Sequence, residues 1–372
     1  MVGGTPGRTA VGRAGRPLLR PEWSRGLTQL AALDEHLRSL VTALTDTGQA
    51  IVPAMVPLSV RGKIVYRDLR GLQVLDARGG RLLWSCPELF SPERTWARER
   101  WGTSRFSSRL SMRGFMQRPT SADSETALGW LSGVLFKNSS YGLLSSDGRR
   151  VFVREDRKGL FEKPMRLSVF GRAGGSSRSD APVNKLLAYD LETGELLWEV
   201  GGRDPVGSDA LPLGGVFILG PPLPVGNTLY VAGERDGEIR LYALDPATGA
   251  VQWSQLLALA ETRLGRNVAR RWVSIRLAAA GGVVVCPTGV GWLVAVEPAS
   301  RSILWAARYT SRSELAKRGP QRHPSYEPGG QRVSWIAPLP RIVGNRVLFA
   351  AVESDAIECW DLATGRRHWR RS

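Results

Sequence analysis

The sequence predicts an all-β chain folded as a β-propeller of four-stranded antiparallel blades, five of them readable, with one helix near the N-terminus. Three observations carry that prediction. A fixed pattern recurs around five tryptophans, each copy places a turn between two short apolar runs, and two further strand signals stand upstream of most copies.

The copies are GLQVLDARGGRLLW ending at Trp84, LLAYDLETGELLW at Trp198, RLYALDPATGAVQW at Trp253, WLVAVEPASRSILW at Trp305 and IECWDLATGRRHW at Trp369. An acid stands eight positions before each tryptophan: Asp76, Asp190, Asp245, Glu297 and Asp361. Tryptophan occurs only 13 times in 372 residues, so five such coincidences mark a repeat. Each copy reads as a β-hairpin. The carboxylate at the turn start can accept from the backbone N–H groups that follow, and Gly80, Gly194, Gly249 and Gly365 supply the positive-φ position that closes the turn. The fourth copy departs, with Arg301 where the others have glycine. Val74, Ala188, Ala243, Ala295 and Cys359 form a column of small or medium residues before the turn, expected to face inward with the closing indole.

The upstream signals complete each unit. In the third, strands are expected at 222–225, 228–232, 238–245 and 251–254, joined by Gly226-Asn227, Asp236-Gly237 and the Thr248-Gly249 turn. The second blade begins near Tyr141, with YGLLSSDG and RRVFVRED as its outer signals, and degenerate strands over 57–65 complete the first. A four-stranded sheet cannot bury both faces alone, so radial stacking of such sheets is the expected solution. Five readable blades leave open whether they close among themselves, with a sixth, or as part of an incomplete ring. The preferred expectation is that this chain is a fragment that associates with missing blades or a further segment.

Residues 1–26 read as a flexible basic tail and 27–50 as an amphipathic helix with linker. The propeller spans 51–372, with insertions at about 87–140, 157–183, 255–270 and 306–336. Leu27, Leu30, Ala31, Leu37, Leu40, Val41 and Leu44 form the helix's apolar stripe, and Asp34 with Arg38 is an (i, i+4) ion-pair candidate. The stripe is expected to pack on the propeller edge.

Composition narrows the function classes. The 42% hydrophobic content is enough for a large core, which excludes a disordered chain. The net charge of +17 invites a nucleic-acid reading, yet the basic excess is almost wholly arginine, as GC-rich coding alone would give, so nucleic acid is not the expected partner. No apolar run reaches the ~20 residues of a membrane-spanning helix, and the first twenty residues show no export signal. Cys86, Cys286 and Cys359 stand singly, and His36, His323 and His368 show no metal or triad spacing. No nucleophile elbow, Walker loop or H-E-x-x-H motif is present.

The stretch Leu241–Trp253 resembles the pyrroloquinoline-quinone-type β-propeller repeat, whose form is roughly LYALD-x-x-TG-x-x-x-W, and the resemblance covers about residues 51–371 with insertions. That family includes quinoprotein dehydrogenases, which hold the quinone and calcium on the propeller axis, and non-catalytic scaffolds such as the outer-membrane-protein assembly lipoproteins. The dehydrogenases typically carry two adjacent cysteines and a cluster of acidic and amide ligands. Neither is found here. The resemblance therefore implies the scaffold branch, with no cofactor, no metal and no catalytic residue, and a place in the periplasm or cell envelope.

Recognition is expected on the insertion loops, where a rigid scaffold usually places it. Arg94, Arg98, Arg105 and Arg109, interleaved with Trp96 and Trp101, are the candidate partner-binding residues, because arginine and aromatic side chains together suit acidic or planar groups. Shorter basic stretches lie at 263–276 and 308–322. The expected function is capture of a protein or peptide partner. The alternatives are a degenerate quinoprotein dehydrogenase and a binder of an anionic polymer.

Overall fold

The computed structural model describes residues 5–7, 21–46, 55–87, 91–97, 131, 133–156, 183–203, 212–309, 339–351, 354 and 356–371. The chain divides into two compact units, one of residues 17–138 and one of residues 1–16 with 139–372.

In the unit 17–138, the apolar stripe seen in the sequence forms helix α1 (Ala31–Asp46), which buries Leu33, Leu37 and Leu40. Leu33 and Leu37 pack with Leu69, Trp96, Leu131 and Leu135 in one cluster, with Leu27 and Leu30 partly buried against it, whereas Ala31 and Val41 of the expected stripe are exposed. Arg38 and Asp34 pair at 2.7 Å on the exposed side, a contact worth a few tenths of a kcal/mol. The first blade is a sheet of β1 (Leu58–Val60), β2 (Lys63–Arg67), β3 (Gly71–Asp76) and β4 (Leu82–Pro87) in sequential antiparallel order. The degenerate run over 57–65 thus supplies β1 and the start of β2.

The other unit holds four more sheets. The second blade comprises β5 (Leu144–Ser146), β6 (Arg150–Glu155), β7 (Lys185–Asp190) and β8 (Leu196–Gly201). The third has β9 (Phe217–Ile218), β10 (Leu223–Val225), β11 (Thr228–Arg235), β12 (Glu238–Leu244) and β13 (Val251–Leu259). The fourth has β14 (Ala278–Ala280), β15 (Val283–Pro287), β16 (Trp292–Glu297) and β17 (Ser302–Arg308). The fifth has β18 (Arg341–Val343), β19 (Arg346–Ala350), β20 (Ile357–Asp361) and β21 (Arg367–Arg371). All pair antiparallel in chain order, with β9 added beside β10 along β11. In the third blade β13 runs on to Leu259, because β12 continues to offer partners down to Glu238. The first residues of the expected 255–270 insertion are therefore strand.

The register explains the column of small residues. In every blade the residue two before the acid pairs directly with the tryptophan: Val74 with Trp84, Ala188 with Trp198, Ala243 with Trp253, Ala295 with Trp305, and Cys359 with Trp369. A large side chain opposite an indole would crowd the same face. A register shift follows at that pair in all five blades, as expected where one extra residue must be absorbed next to a tight turn.

Three apolar clusters join the four sheets of this unit face to face. Phe152, Leu186 and Ala188 meet Ile218, Leu229 and Val231 between the second and third. Ile239, Leu241 and Ala243 meet Val284, Val294 and Val296 between the third and fourth. Val285, Leu293 and Ala295 meet Val347, Phe349 and Trp360 between the fourth and fifth. Each fully buried aliphatic side chain contributes about 1.5–3 kcal/mol, so these clusters dominate the stability of the unit.

Candidate functional site

The repeat acids sit where turn chemistry requires. Asp190 Oδ1 accepts from the N–H groups of Glu192 and Thr193, both at 2.8 Å, Asp245 Oδ1 from Ala247 and Thr248 at 2.6 and 3.2 Å, and Asp361 Oδ1 from Ala363 and Thr364 at 3.1 and 2.9 Å. Asp76 accepts from Gly79 N at 2.6 Å, and Glu297, one carbon longer, takes the Ser300 hydroxyl at 2.6 Å. These bonds favour the ionised form. The Thr193 N–H, ahead of smaller contributions, holds the Asp190 carboxyl below its ordinary value, and the Thr364 N–H does the same for Asp361.

Two of the glycines that close the turns, Gly249 and Gly365, receive the tryptophan of the preceding blade. Trp198 lies against Gly249 and its Nε1 donates to Pro246 O at 3.1 Å, while Trp305 lies against Gly365 and donates to Leu362 O at 2.8 Å. Both acceptors stand one residue after the turn acid. A Cβ on Gly249 or Gly365 would come within 2.8 or 2.5 Å of the indole, and both glycines have φ near +70° (74° and 68°), which L side chains avoid. The fourth blade lacks this arrangement. Arg301 takes the position with φ 56°, and Trp253 of the preceding blade meets Tyr230 of its own sheet with ring centroids 6.0 Å apart, as Trp198 meets Phe152 at 5.9 Å. Trp369, on the last strand, is 37% exposed, the most open of the five.

One indole outside the repeat makes the same contact. Trp23 lies against Gly80 of the first blade and donates from Nε1 to Ala77 O at 3.2 Å, again one residue after the turn acid. Arg25 adds a bond to Gly80 O at 3.1 Å. The segment read as a flexible tail thus supplies an indole to the first turn, a role that the sequence pattern did not reveal. A second part of that tail is also held: Pro6 O accepts from Ala279 N at 2.8 Å and Gly7 O from Ile342 N at 2.9 Å, beside an apolar cavity of about 670 Å³ lined by Pro6, Tyr230, Val283 and Ile342.

Of the candidate partner-binding residues, Arg94 is exposed and Trp96 is only 7% exposed, packed with α1 in the apolar cluster. The structure corrects the reading of Trp96 as a surface contact, because its ring is committed to the core. Arg98, Trp101, Arg105 and Arg109 lie outside the described residues.

The unit that includes Ser139–Ser372 also contains a connected set of buried polar groups. Ser139 Oγ donates to Trp272 O at 3.0 Å and accepts from Ser274 N at 2.9 Å. Arg154 donates to Ser140 Oγ at 2.5 Å and to Ile218 O at 3.3 Å, stands 3.6 Å from Asp156, and lies over the Phe217 ring. Asn184 clasps the Ile218 backbone from both sides, at 2.9 Å to its carbonyl and 2.7 Å from its N–H. The basic stretch 263–276 borders this network. Arg270 pairs with buried Glu234 at 2.5 Å and bonds Thr262 O at 2.8 Å, and Arg271 donates to Leu264 O at 3.0 Å. Those two guanidinium groups fold the insertion. The network can recognise a ligand through hydrogen bonds.

A quinone with calcium does not fit the described donors. The repeat carboxylates are bound in their own turns, and among the described residues no three His, Cys, Asp or Glu side chains gather as metal ligands. Among the described residues, Cys86, Cys286 and Cys359 form no disulfide, and complete burial pushes the Cys286 thiol far up. No helix among the described residues is long and apolar enough to cross a membrane.

Several solved structures are similar to this chain at low sequence identity. BamB from Moraxella catarrhalis is 14% identical with a TM-score of 0.46, over 86% of this chain and 65% of that one. The quinohemoprotein alcohol dehydrogenase of Comamonas testosteroni is 12% identical with a TM-score of 0.43, over 86% and 42%. A europium-containing methanol dehydrogenase is 13% identical with a TM-score of 0.43, over 85% and 61%. The chain thus spans less than two thirds of the length of each. No curated protein matches it in sequence. The family model described as outer membrane protein assembly factor BamB matches residues 70–372, and with five sheets of its repeat in place, the chain belongs to that family of β-propeller proteins.

Proposed function

We propose that this chain is a non-catalytic propeller scaffold that binds a protein or peptide partner through its insertion loops, in or near the bacterial envelope. The observation that carries the reading is the commitment of the repeat carboxylates. Asp190, Asp245 and Asp361 each hold two amides of their own turn, which leaves them unsuited to bind calcium or to take a proton from a substrate. The family description, an assembly factor, supports the same reading. The arginine-rich loop that holds Arg94, Arg98, Trp101, Arg105 and Arg109 is the proposed contact surface, and Trp96 anchors its first turn to the core.

Calorimetry of the full chain with pyrroloquinoline quinone and calcium tests the proposal. The scaffold reading expects no saturable heat. Saturable micromolar binding would replace it with a quinoprotein dehydrogenase. An anionic-polymer role would instead show as DNA or acidic polysaccharide binding that collapses with added salt.

A further inference from the structure

Two consecutive carbonyls of the N-terminal segment bridge two blades. Pro6 O accepts from Ala279 N on β14 at 2.8 Å, and Gly7 O accepts from Ile342 N on β18 at 2.9 Å. Each of these strands is the first of its sheet and pairs on one side only, β14 with β15 and β18 with β19. The outward N–H groups of such an edge are a ready place for another piece of chain to attach. Here one edge donor from each of two neighbouring sheets converges on a single dipeptide.

The residue types suit that position. Thr5 is in a bend and Pro6 and Gly7 are in a turn, so the shape held by the two edges is a turn and not an added strand. Proline fixes φ for the turn and, having no N–H, brings only an acceptor to an edge that offers donors. Gly7 is buried, and a Cβ on it would stand 3.2 Å from Ile342 O and 3.7 Å from Ile342 Cβ. A larger side chain there would push the turn off the edge of the fifth blade.

The seat is larger than its occupant. Among the described residues, Thr5, Pro6 and Gly7 wall one side of the apolar cavity of about 670 Å³, and Val225, Tyr230 and Val283 wall another. Thr5 and Pro6 are only half-buried. Because Thr5 lines the cavity, an apolar residue before the proline would bury more apolar surface than threonine does.

We infer that the edge strands β14 and β18, with the cavity beside them, form a binding site for a Pro-Gly turn preceded by an apolar residue and presented by a protein partner. Thr5–Gly7 occupies that site in cis as a weaker stand-in. A tethered segment competes at an effective concentration on the order of millimolar, so a partner displaces it only through the better-filled cavity. The site uses none of the insertion-loop residues proposed above, and a quinone titration that overturned the scaffold reading would leave it standing.

The test follows the amide resonances of Ala279 and Ile342 in the isotope-labelled full chain. Gly7→Val is expected to shift both resonances and to speed their hydrogen exchange about tenfold or more, since each loses its acceptor. A chain lacking residues 1–10 serves if the valine variant does not fold. Into whichever variant is used, three peptides of residues 3–10 are titrated to millimolar concentration: the native sequence, its Thr5→Leu form, and the Thr5→Leu form that also carries Gly7→Val. The native peptide is expected to restore both resonances, the leucine form to do so at about tenfold lower concentration, and the valine form to leave them shifted. Amides unchanged by loss of the segment, no response to the leucine peptide, a leucine peptide no tighter than the native one, or restoration by the valine form overturns the site.

Discussion

The indole of Trp23 rests on Gly80 and donates to the carbonyl one residue past Asp76, the contact that Trp198 makes on Gly249 in the next unit of the repeat. An isolated tryptophan outside the repeat has taken the place of a blade's closing indole. The turn of the first blade is thereby covered by the segment just before α1.

Trp23→Ala is expected to destabilise the first blade. The indole is half-buried, so the loss should be about half of the ~3–5 kcal/mol typical of a fully buried aromatic side chain. Hydrogen exchange checks this: amides of β3 and β4 should lose protection in the variant while those of β12 keep theirs.

Arg301 holds a left-handed backbone, φ 56°, at the position where four sister turns have glycine. That conformation costs a non-glycine residue roughly 1–2 kcal/mol. Arg301 is exposed, so its side chain does little to offset the cost. Arg301→Gly should raise stability by about 1 kcal/mol, allowing for the extra freedom of glycine in the unfolded chain. Denaturant midpoints of the two proteins decide it, with a higher midpoint expected for the variant.

Acid should weaken the turn that Asp190 holds. The Thr193 N–H, first among several partners, depresses the native pKa of Asp190 below its ordinary value. Its contribution is therefore complete above the ordinary carboxylate pKa of about 4 and is lost as pH falls through the lower native value. Asp190→Asn retains an acceptor for Thr193 but cannot titrate. Stability of the wild type measured from pH 6 downwards should decline more steeply below about pH 4 than that of the variant.

Glu234 is 3% exposed and its carboxylate is held by Arg270 and by Leu264 N. Removing only the cation leaves a buried carboxylate, which costs about 3–5 kcal/mol. Arg270→Met should show that loss, and the double variant Arg270→Met with Glu234→Gln should recover much of it. Thermal unfolding of the three proteins checks the order.

The repeat was legible because its signals are local. An acid, a glycine and an indole at fixed spacing describe a hairpin by themselves, and the expected strand at 238–245 lies within one residue of β12 (Glu238–Leu244). The strand over 251–254 extends to Leu259 because its length depends on the partner strand, which the hairpin motif does not encode. Trp96 reads as a surface residue among arginines, and only the position of α1 makes it core. Trp23 has no repeat around it to announce its role.

The central claim is that the closing indole and the next blade's glycine act as one joint between sheets. A double-mutant cycle on Trp198→Phe and Gly249→Ala measures it most directly, by equilibrium denaturation of the wild type, both single variants and the pair. The account predicts strong coupling, with the pair less destabilised than the sum of the singles by about 1 kcal/mol or more, because either change alone already opens the joint. Additive losses would mean that the two residues act separately, and would contradict it.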